Sequence, residues 1–379
     1  LHRAGGLSLI EHVVRTALAV APPSNVVAVI GHQAESVAAT LAPSGVRTAL
    51  QSNPQGTGHA LQCAREQAPH AGLLTVLYGD VPFLSRATVE RLIAQQAESD
   101  AAATVLTAVL DDPAAYGRIV RDASGGVEAI VEYKAASEAQ RKIKEINCGI
   151  YCFRADLLWK HIDEITTNNP AGEFYLTDMV EIFRRHGYSV EGQIMADTRE
   201  LLGINTRVEL AAIDSLFRER KNRQLMLDGA TLERPETICA DIDVSIGQDT
   251  IVESGVRLLG TTTIGAKCRI GAGSIVSNST ISDGVNIAPY SVIEDTTIGA
   301  EARIGPFARL RMNNQVGAHV HIGNFVEVKN STLADGAKAN HLAYLGDATV
   351  GERVNYGAGS ITANYDGAQK HRTVIEADA

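Results

Sequence analysis

Between Val244 and Leu333 an aliphatic residue returns at roughly every sixth position: Ile264, Ile270, Val276, Ile281, Ile287, Ile293, Ile298, Ile304 and Leu310. Neither the 3.6-residue period of a helix nor the alternation of a half-buried strand produces that spacing. A parallel β-helix does, because each coil has three short faces and every face sends one aliphatic side chain inward. A glycine follows the aliphatic residue at Gly247, Gly265, Gly271, Gly299 and Gly305, where the chain is expected to turn a corner between faces. Ala266, Ala272, Ser274 and Ala300 suit the crowded turns. The pattern predicts a left-handed parallel β-helix of hexapeptide repeats, with coils of about 18 residues stacked about 4.8 Å apart.

Two consequences follow for chemistry. Arg311 and Lys329 are 18 apart (329 − 311), so they should stack on one face and repel each other. An anion such as a sugar phosphate would relieve that repulsion; the alternatives are that both point into solvent or pair with an acid such as Glu327. After Leu333 the hexads break over 336–347, which predicts an insertion leaving the solenoid with His341 at its middle. An imidazole, with an ordinary pKa of about 6.5, suits a general base, although most loop histidines are inert.

The first two hundred or so residues read differently. Apolar runs at 26–30, 47–51, 73–78 and 104–109 alternate with amphipathic stretches at 35–41, 59–66 and 87–98. Such βαβ alternation predicts an α/β Rossmann-like domain with a mostly parallel sheet, binding ligands beyond the carboxyl ends of its strands. Asp80 follows the run ending at Leu77, where it can hold a hard cation or simply cap a turn. Gly56-Thr57-Gly58-His59 precedes a helix and offers backbone N–H groups to an anion or base, unless it is a plain turn. Glu132 and Asn147 adjoin apolar runs and can line a polar pocket or end strands. From 208 to 227, Leu210, Ile213, Leu216, Phe217 and Leu225 recur at helical spacing among Arg218, Arg220, Lys221 and Arg223, which predicts a linker helix with a solvated basic face. The expected division is 1–206, a linker at 207–228, and 229–379.

A net charge of -10 argues against general binding of nucleic acid or an anionic membrane surface. Five scattered cysteines lack metal-ligand spacing and point to a reducing cytoplasm. No apolar run reaches the roughly 18 residues of a membrane span.

The segments Gln51-Ser-Asn-Pro-Gln-Gly-Thr-Gly-His59, Leu77-Tyr-Gly-Asp80, Tyr116-Gly-Arg-Ile119, Glu145-Ile-Asn-Cys-Gly149, Gly172-Glu-Phe-Tyr-Leu-Thr-Asp178 and Gly203-Ile-Asn205 resemble the sugar-nucleotide pyrophosphorylases. With Asn340-His341-Leu-Ala-Tyr344 and Asn364-Tyr-Asp-Gly367, the whole chain more closely resembles the bacterial bifunctional N-acetylglucosamine-1-phosphate uridylyltransferases / glucosamine-1-phosphate N-acetyltransferases. The resemblance implies that Gln51, Gly56, Thr57, Tyr78 and Gly79 bind UTP, and that Asp80 and Asn205 hold Mg²⁺. Gly117, Glu132, Asn147 and Thr177 would line the N-acetylglucosamine-1-phosphate pocket. In the β-helix it implies His341 as general base with Glu327 orienting it. Arg311, Lys329, Tyr344, Asn355 and Lys370 would lie on glucosamine-1-phosphate, and Ala358, Asn364 and Tyr365 on acetyl-CoA. Homotrimers are implied, with the acetyl-transfer site between neighbouring β-helices.

The family's first strand and Gly-rich basic loop would precede Leu1, and its last coils would follow Ala379. A piece lacking both is expected, so a non-catalytic trimer-forming or ligand-binding fragment is the alternative to a working enzyme. A more remote alternative is a zinc-dependent hydratase of β-helix type using His319, His321 and His341. Alternate residues of a strand face opposite ways, which separates His319 from His321.

Overall fold

The computed structural model describes residues 2–67, 72–204 and 206–379. The chain divides into two units, one formed by Leu1–His2 with Ser8–Glu209 and the other by Arg3–Leu7 with Leu210–Ala379.

In the first unit the expected alternation appears as strands Val27–Ile30, Arg47–Leu50, Leu73–Val76 and Ala103–Val109, with helices Ala34–Leu41, Thr57–Ala64 and Arg86–Glu98 between them. The sheet is mixed, not mostly parallel. Its organiser is the long strand Glu145–Arg154, which runs antiparallel to Ala103–Val109 on one side and to Leu73–Val76 on the other. Val190–Ile194 adds a parallel edge, and Arg118–Arg121 with Val127–Val131 adds an antiparallel hairpin. Val27–Ile30 and Arg47–Leu50 form their own parallel pair. Eight of the ten residues from Glu145 to Arg154 are buried. A strand covered on both faces carries no alternation to reveal its direction.

Three parallel sheets of eight, seven and eight strands, the first, second and third faces of the coils, make up the second unit, each strand pairing with one a coil later. The coil length is not constant: Arg303 to His321 is 18 residues and His321 to Lys338 is 17. Ile264, Ile270, Val276, Ile281, Ile287, Ile293, Ile298, Ile304 and Leu310 all lie in one continuous buried core.

Four of the five glycines after the aliphatic positions do a different job from the one expected, while Gly305, at φ 90°, keeps the corner role. Gly247, Gly265, Gly271 and Gly299 are absent from the positive-φ positions. A Cβ on them would sit 2.5–2.7 Å from backbone nitrogen of the next coil, at Ala266, Asp283, Pro289 and Ala318 respectively. They permit close stacking. The left-handed corners are carried largely by other residues. One corner runs through Tyr290, Phe307, Phe325 and Leu342, and a second through Asn278, Asp295, Asn330 and Asp347, all with φ between 46° and 59°.

The predicted insertion at 336–347 is also corrected. Lys338–His341 pairs with His321–Asn324, and Tyr344–Gly346 pairs with Glu327–Lys329, so the coil continues. Inward positions there are held by Ala337, Ala339, Ala343 and Leu345. Alanine keeps the register but weakens the aliphatic signal. The excursion comes later: Thr349 pairs with Val374, 25 residues on, and the surplus forms a hairpin bridged by Tyr365 and Lys370.

The linker stretch is a helix, Arg207–Leu227, burying Ile213, Phe217, Asn222 and Leu225. Its basic face is only partly solvated. Arg218 pairs with Asp214 (2.8 Å) and Asp241 (3.0 Å), and Asn222 donates to the carbonyls of Pro235 and Ile238, both at 2.9 Å.

Candidate active sites

In the first unit the candidate residues are joined by a chain of polar contacts. Gly56, at φ 110°, opens the helix Thr57–Ala64, and a Cβ there would meet the Phe174 carbonyl oxygen at 2.6 Å. The two strands of chain are laced together by Gly58 N–H to Phe174 O (2.8 Å), Phe174 N–H to Gln55 O (2.8 Å) and Leu176 N–H to Thr57 Oγ1 (3.0 Å). Gln51 donates to Gly56 O at 3.1 Å and meets His59 Nδ1 at 3.0 Å. The Tyr78 hydroxyl is shared with Thr57 and Tyr151, and burial raises its pKa above the ordinary phenol value. Asn147 donates to Tyr151 Oη (2.8 Å), and its own Oδ1 accepts from Gly149 N–H (3.1 Å).

Gly117 O accepts from Asn147 N–H at 2.9 Å. Arg118, 2% exposed, turns its guanidinium onto the carbonyls of Ala114 and Tyr116 and so locks the loop that presents Gly117. Thr177 Oγ1 donates to Glu132 Oε1 at 3.4 Å. Burial raises the Glu132 carboxyl pKa above the usual carboxylate range, with Thr177 opposing. Beside it the Asp178 carboxyl is pushed up to about 6, first by burial and then by Glu181 and Glu132. A cavity of about 150 Å³ opens here, bordered by Glu132, Lys134, Tyr175 and Asp178. Gln51, Gly56, Thr57, Tyr78, Asn147, Gly117, Glu132 and Thr177 therefore belong to one connected region. Tyr151 is a member that sequence reasoning missed, because inside a fully buried strand it carries no distinguishing pattern; Arg118 lies within the Tyr116–Ile119 segment but was given no role.

Gly79 and Asp80 are exposed in the turn after Leu73–Val76. Among the described residues the Asp80 carboxylate has no hydrogen-bond or ion-pair partner, which leaves a hard oxygen donor free. The other expected ligand, Asn205, lies outside the described residues, though a Cβ on nearby Gly203 would come within 3.9 Å of Asp80 O.

On the β-helix, Arg311 and Lys329 stand in register on the second face, as their spacing requires. Arg311 Nε donates to Glu327 Oε1 at 2.7 Å, so part of the cationic column is offset within the protein. Tyr344 stands above Glu327, and Asn364 reaches in from the excursion to donate to Asp347 Oδ2 (2.6 Å) and Tyr344 Oη (3.4 Å). Asn330 Nδ2 donates to Asp347 Oδ1 at 2.5 Å. These bonds, with Lys329 and Lys370 nearby, hold the Asp347 carboxyl below its ordinary pKa against the cost of burial. Arg311, Lys329, Tyr344, Asn364 and Lys370 thus gather around one wall, with Asp347 and Asn330 as unforeseen members.

His341 is elsewhere on the rung. It ends the first-face strand Lys338–His341 and is exposed. Its Nδ1 meets Asn324 Oδ1 at 2.9 Å, one coil below in register. The expected imidazole partner, Glu327, is engaged by Arg311 instead. Asn355 lies on the first face above Lys338, and Ala358 is exposed where Gly359 N–H donates to Leu342 O. Tyr365 is exposed, its hydroxyl donating to Gly367 O.

His319 turns to Glu301 at 3.3 Å and forms no three-ligand group with His321 and His341 among the described residues. Only His161, Glu164 and His186 are close enough there to hold a metal ion together. The Glu164 carboxylate already accepts from His161 Nδ1 (2.6 Å), His186 Nε2 (2.9 Å) and Arg185 (2.9 Å), and it is held down at about 2 by the histidine hydrogen bonds. With a guanidinium already on the carboxylate, the group reads as a staple between helices Ala155–His161 and Asp178–Arg185. A larger open recess of about 400 Å³, lined by Gly265 and Asp283 among others, contains none of the candidate residues.

Residues 1–145 match the MobA-like NTP transferase domain, and residues 240–314 match the GMPPB C-terminal domain. The protein named Bifunctional protein GlmU from Solibacter usitatus (strain Ellin6076) is 52% identical over 376 residues, covering 99% of this chain and 81% of that protein. Proteins of the same name from Koribacter versatilis (strain Ellin345) and Exiguobacterium sp. (strain ATCC BAA-1283 / AT1b) are each 44% identical. They cover 99% and 100% of this chain, and the chain spans 81% and 84% of their length.

Proposed function

The chain belongs to the family of bifunctional GlmU proteins, and from that premise we propose that its two units carry successive steps in the synthesis of UDP-N-acetylglucosamine, a cell-wall precursor. The β-helix moves the acetyl group of acetyl-CoA onto glucosamine-1-phosphate. The α/β unit then joins N-acetylglucosamine-1-phosphate to the uridylyl group of UTP and releases pyrophosphate. The observation that carries the reading is the second face of the β-helix, where Arg311 and Lys329 stack in register below the Tyr344, Asn364 and Asp347 cluster.

In the acetyl transfer, Arg311, Lys329 and Lys370 hold the sugar phosphate, with Tyr344 and Asn355 on the sugar. His341 takes a proton from the amine as its nitrogen attacks the thioester carbonyl, and the CoA thiolate leaves. Asn364, Ala358 and Tyr365 meet the acetyl and CoA end. A homotrimer is proposed because His341 sits at the corner after the first face while the cations sit on the second, so a neighbouring copy can complete the site. Support comes from that same corner, where exposed Tyr290, Phe307 and Phe325 stack at 5.5 Å between ring centroids and Leu342 follows His341.

In the uridylyl transfer, Gln51, Gly56, Thr57, Tyr78 and Gly79 receive the nucleotide, and Gly117, Glu132, Asn147 and Thr177 receive the sugar phosphate. Mg²⁺ would be held by Asp80 and Asn205 and would supply charge neutralisation on the phosphates. The chain's own contribution is alignment: the Thr57, Tyr78, Tyr151 and Asn147 contacts fix the two substrate-facing walls against each other. A cytoplasmic location is proposed with these substrates; no described helix is long and apolar enough to cross a membrane.

Separate incubations test both halves, one with UTP and N-acetylglucosamine-1-phosphate, the other with acetyl-CoA and glucosamine-1-phosphate. His341→Ala should lower acetylation on the order of 10²- to 10⁴-fold and spare uridylylation. Asp80→Ala should do the reverse. Equal loss of both activities in either variant would overturn the assignment to two sites, and product in neither mixture from the unaltered chain would favour a ligand-binding fragment.

A further inference from the structure

We infer that Asn324 is the positioning residue of the acetyl-transfer base, fixing His341 as the tautomer protonated on Nδ1 and leaving the Nε2 lone pair for the substrate amine. This rests on the proposed role of His341. The geometric basis is a single contact in a rigid setting: His341 Nδ1 lies 2.9 Å from Asn324 Oδ1, and the two residues are register partners on adjacent coils. An amide oxygen only accepts, so the ring nitrogen facing it must carry the hydrogen. The other nitrogen is then the basic one.

Glu327 does not compete for the role, since its Oε1 accepts from Arg311 Nε at 2.7 Å. His321, one coil below, has its pKa lowered by burial first, and then by the charges of Arg303, His341 and Lys338. The charges acting on His321, that of His341 among them, are cationic. A neutral amide partner fits such a position better than a carboxylate would, because it sets the tautomer without drawing the imidazole toward its protonated, non-basic form. The strand also makes the contact stiff: Asn324 ends His321–Asn324, a stretch in which a Cβ on Gly323 would overlap the Asn340 carbonyl of the coil above.

The test uses Asn324→Ala and Asn324→Asp, with His341→Ala and the uridylyl reaction as controls. Asn324→Ala should lower kcat for acetylation about 10- to 100-fold with KM for glucosamine-1-phosphate little changed, and leave uridylylation intact. In ¹⁵N spectra of ring-labelled histidine, the His341 signal should lose its Nδ1-protonated signature. Asn324→Asp keeps an acceptor and removes the donor. It should restore the Nδ1-protonated tautomer and most of kcat, with the acid limb of the pH–rate profile moved to higher pH. If the amide instead donated to the imidazole, the aspartate variant would be as impaired as the alanine variant, and the inference falls. It falls also if Asn324→Ala keeps wild-type kcat and tautomer while His341→Ala is inactive. Full acetylation by His341→Ala would instead sink the proposed base itself.

Discussion

The two units build their polar sites by opposite rules. In the β-helix, distance along the chain converts into position by a nearly fixed step: 18 residues carry Arg311 onto Lys329, and 17 carry Asn324 onto His341. In the α/β unit no such rule exists, and Thr57, Tyr78, Asn147 and Thr177 meet only because the long antiparallel strand that carries Asn147 comes together with three other segments. A solenoid site can be assembled by addition. A layered α/β site depends on which strands pair, and that is decided by packing far from any one motif.

The difference also governs how damage should spread, and the largest stability effect is expected in the solenoid core. Ile293 is fully buried between Val276 and Leu310 on the second face. Ile293→Ala should cost about 2–5 kcal/mol, since neighbouring coils cannot collapse into the void without losing their own register. Denaturant unfolding followed by a probe in each unit should show the loss in the β-helix alone, with uridylyl transfer unaffected. An equal shift of both probes would show the units to be one cooperative block and would break the contrast.

Legibility followed the same divide. The inward aliphatic residues and the Arg311–Lys329 stack were readable because a period of about six leaves few alternatives. The period failed where alanine replaced the larger residues: Ala337, Ala339 and Ala343 keep the coil running, yet 336–347 looked like an insertion. The excursion after Ile361 escaped notice because its polar residues resemble any turn. In the first unit the order of strands and helices was legible, but not the direction of Glu145–Arg154, which is buried on both faces. Asn324, Asp347 and Tyr151 were invisible for a common reason. Each acts by holding another side chain, and such a role leaves no trace in residue type or local spacing.

A somewhat smaller effect should sharpen the contrast from the other side. Gly149 has φ 73°, and a Cβ there would stand 2.5 Å from the Tyr78 ring. Gly149→Ala should cost about 1–3 kcal/mol through backbone strain and overpacking. Tyr78 would be pushed off Thr57 and Tyr151, so uridylyl transfer should fall while acetylation stays. The measurement is the ratio of the two activities together with the unfolding midpoint of the first unit. A variant with an unchanged ratio would mean that the contacts of Tyr78 with Thr57 and Tyr151 do not align the substrate walls.

The smallest expected effect concerns charge in that same unit. The Asp178 carboxyl is raised from 3.8 to about 6, by burial before the neighbouring Glu181 and Glu132. A raised carboxyl pKa means that the folded state holds this proton more tightly than the unfolded chain does. Stability from this group is therefore present below about pH 4 and is lost as pH rises toward 6. Asp178→Asn should match the parent in acid and exceed it at pH 7, the gap opening between about pH 4 and 6 and then levelling. One force works against the gain, because Asp178 is the first residue of helix Asp178–Arg185, where a negative charge is favoured by about 0.3–1 kcal/mol. Thermal unfolding of both proteins across that pH range decides which wins. A variant less stable than the parent at pH 7 would mean that the helix dipole outweighs burial, and that the acids around Glu132 are better solvated than the polar contacts along this wall imply.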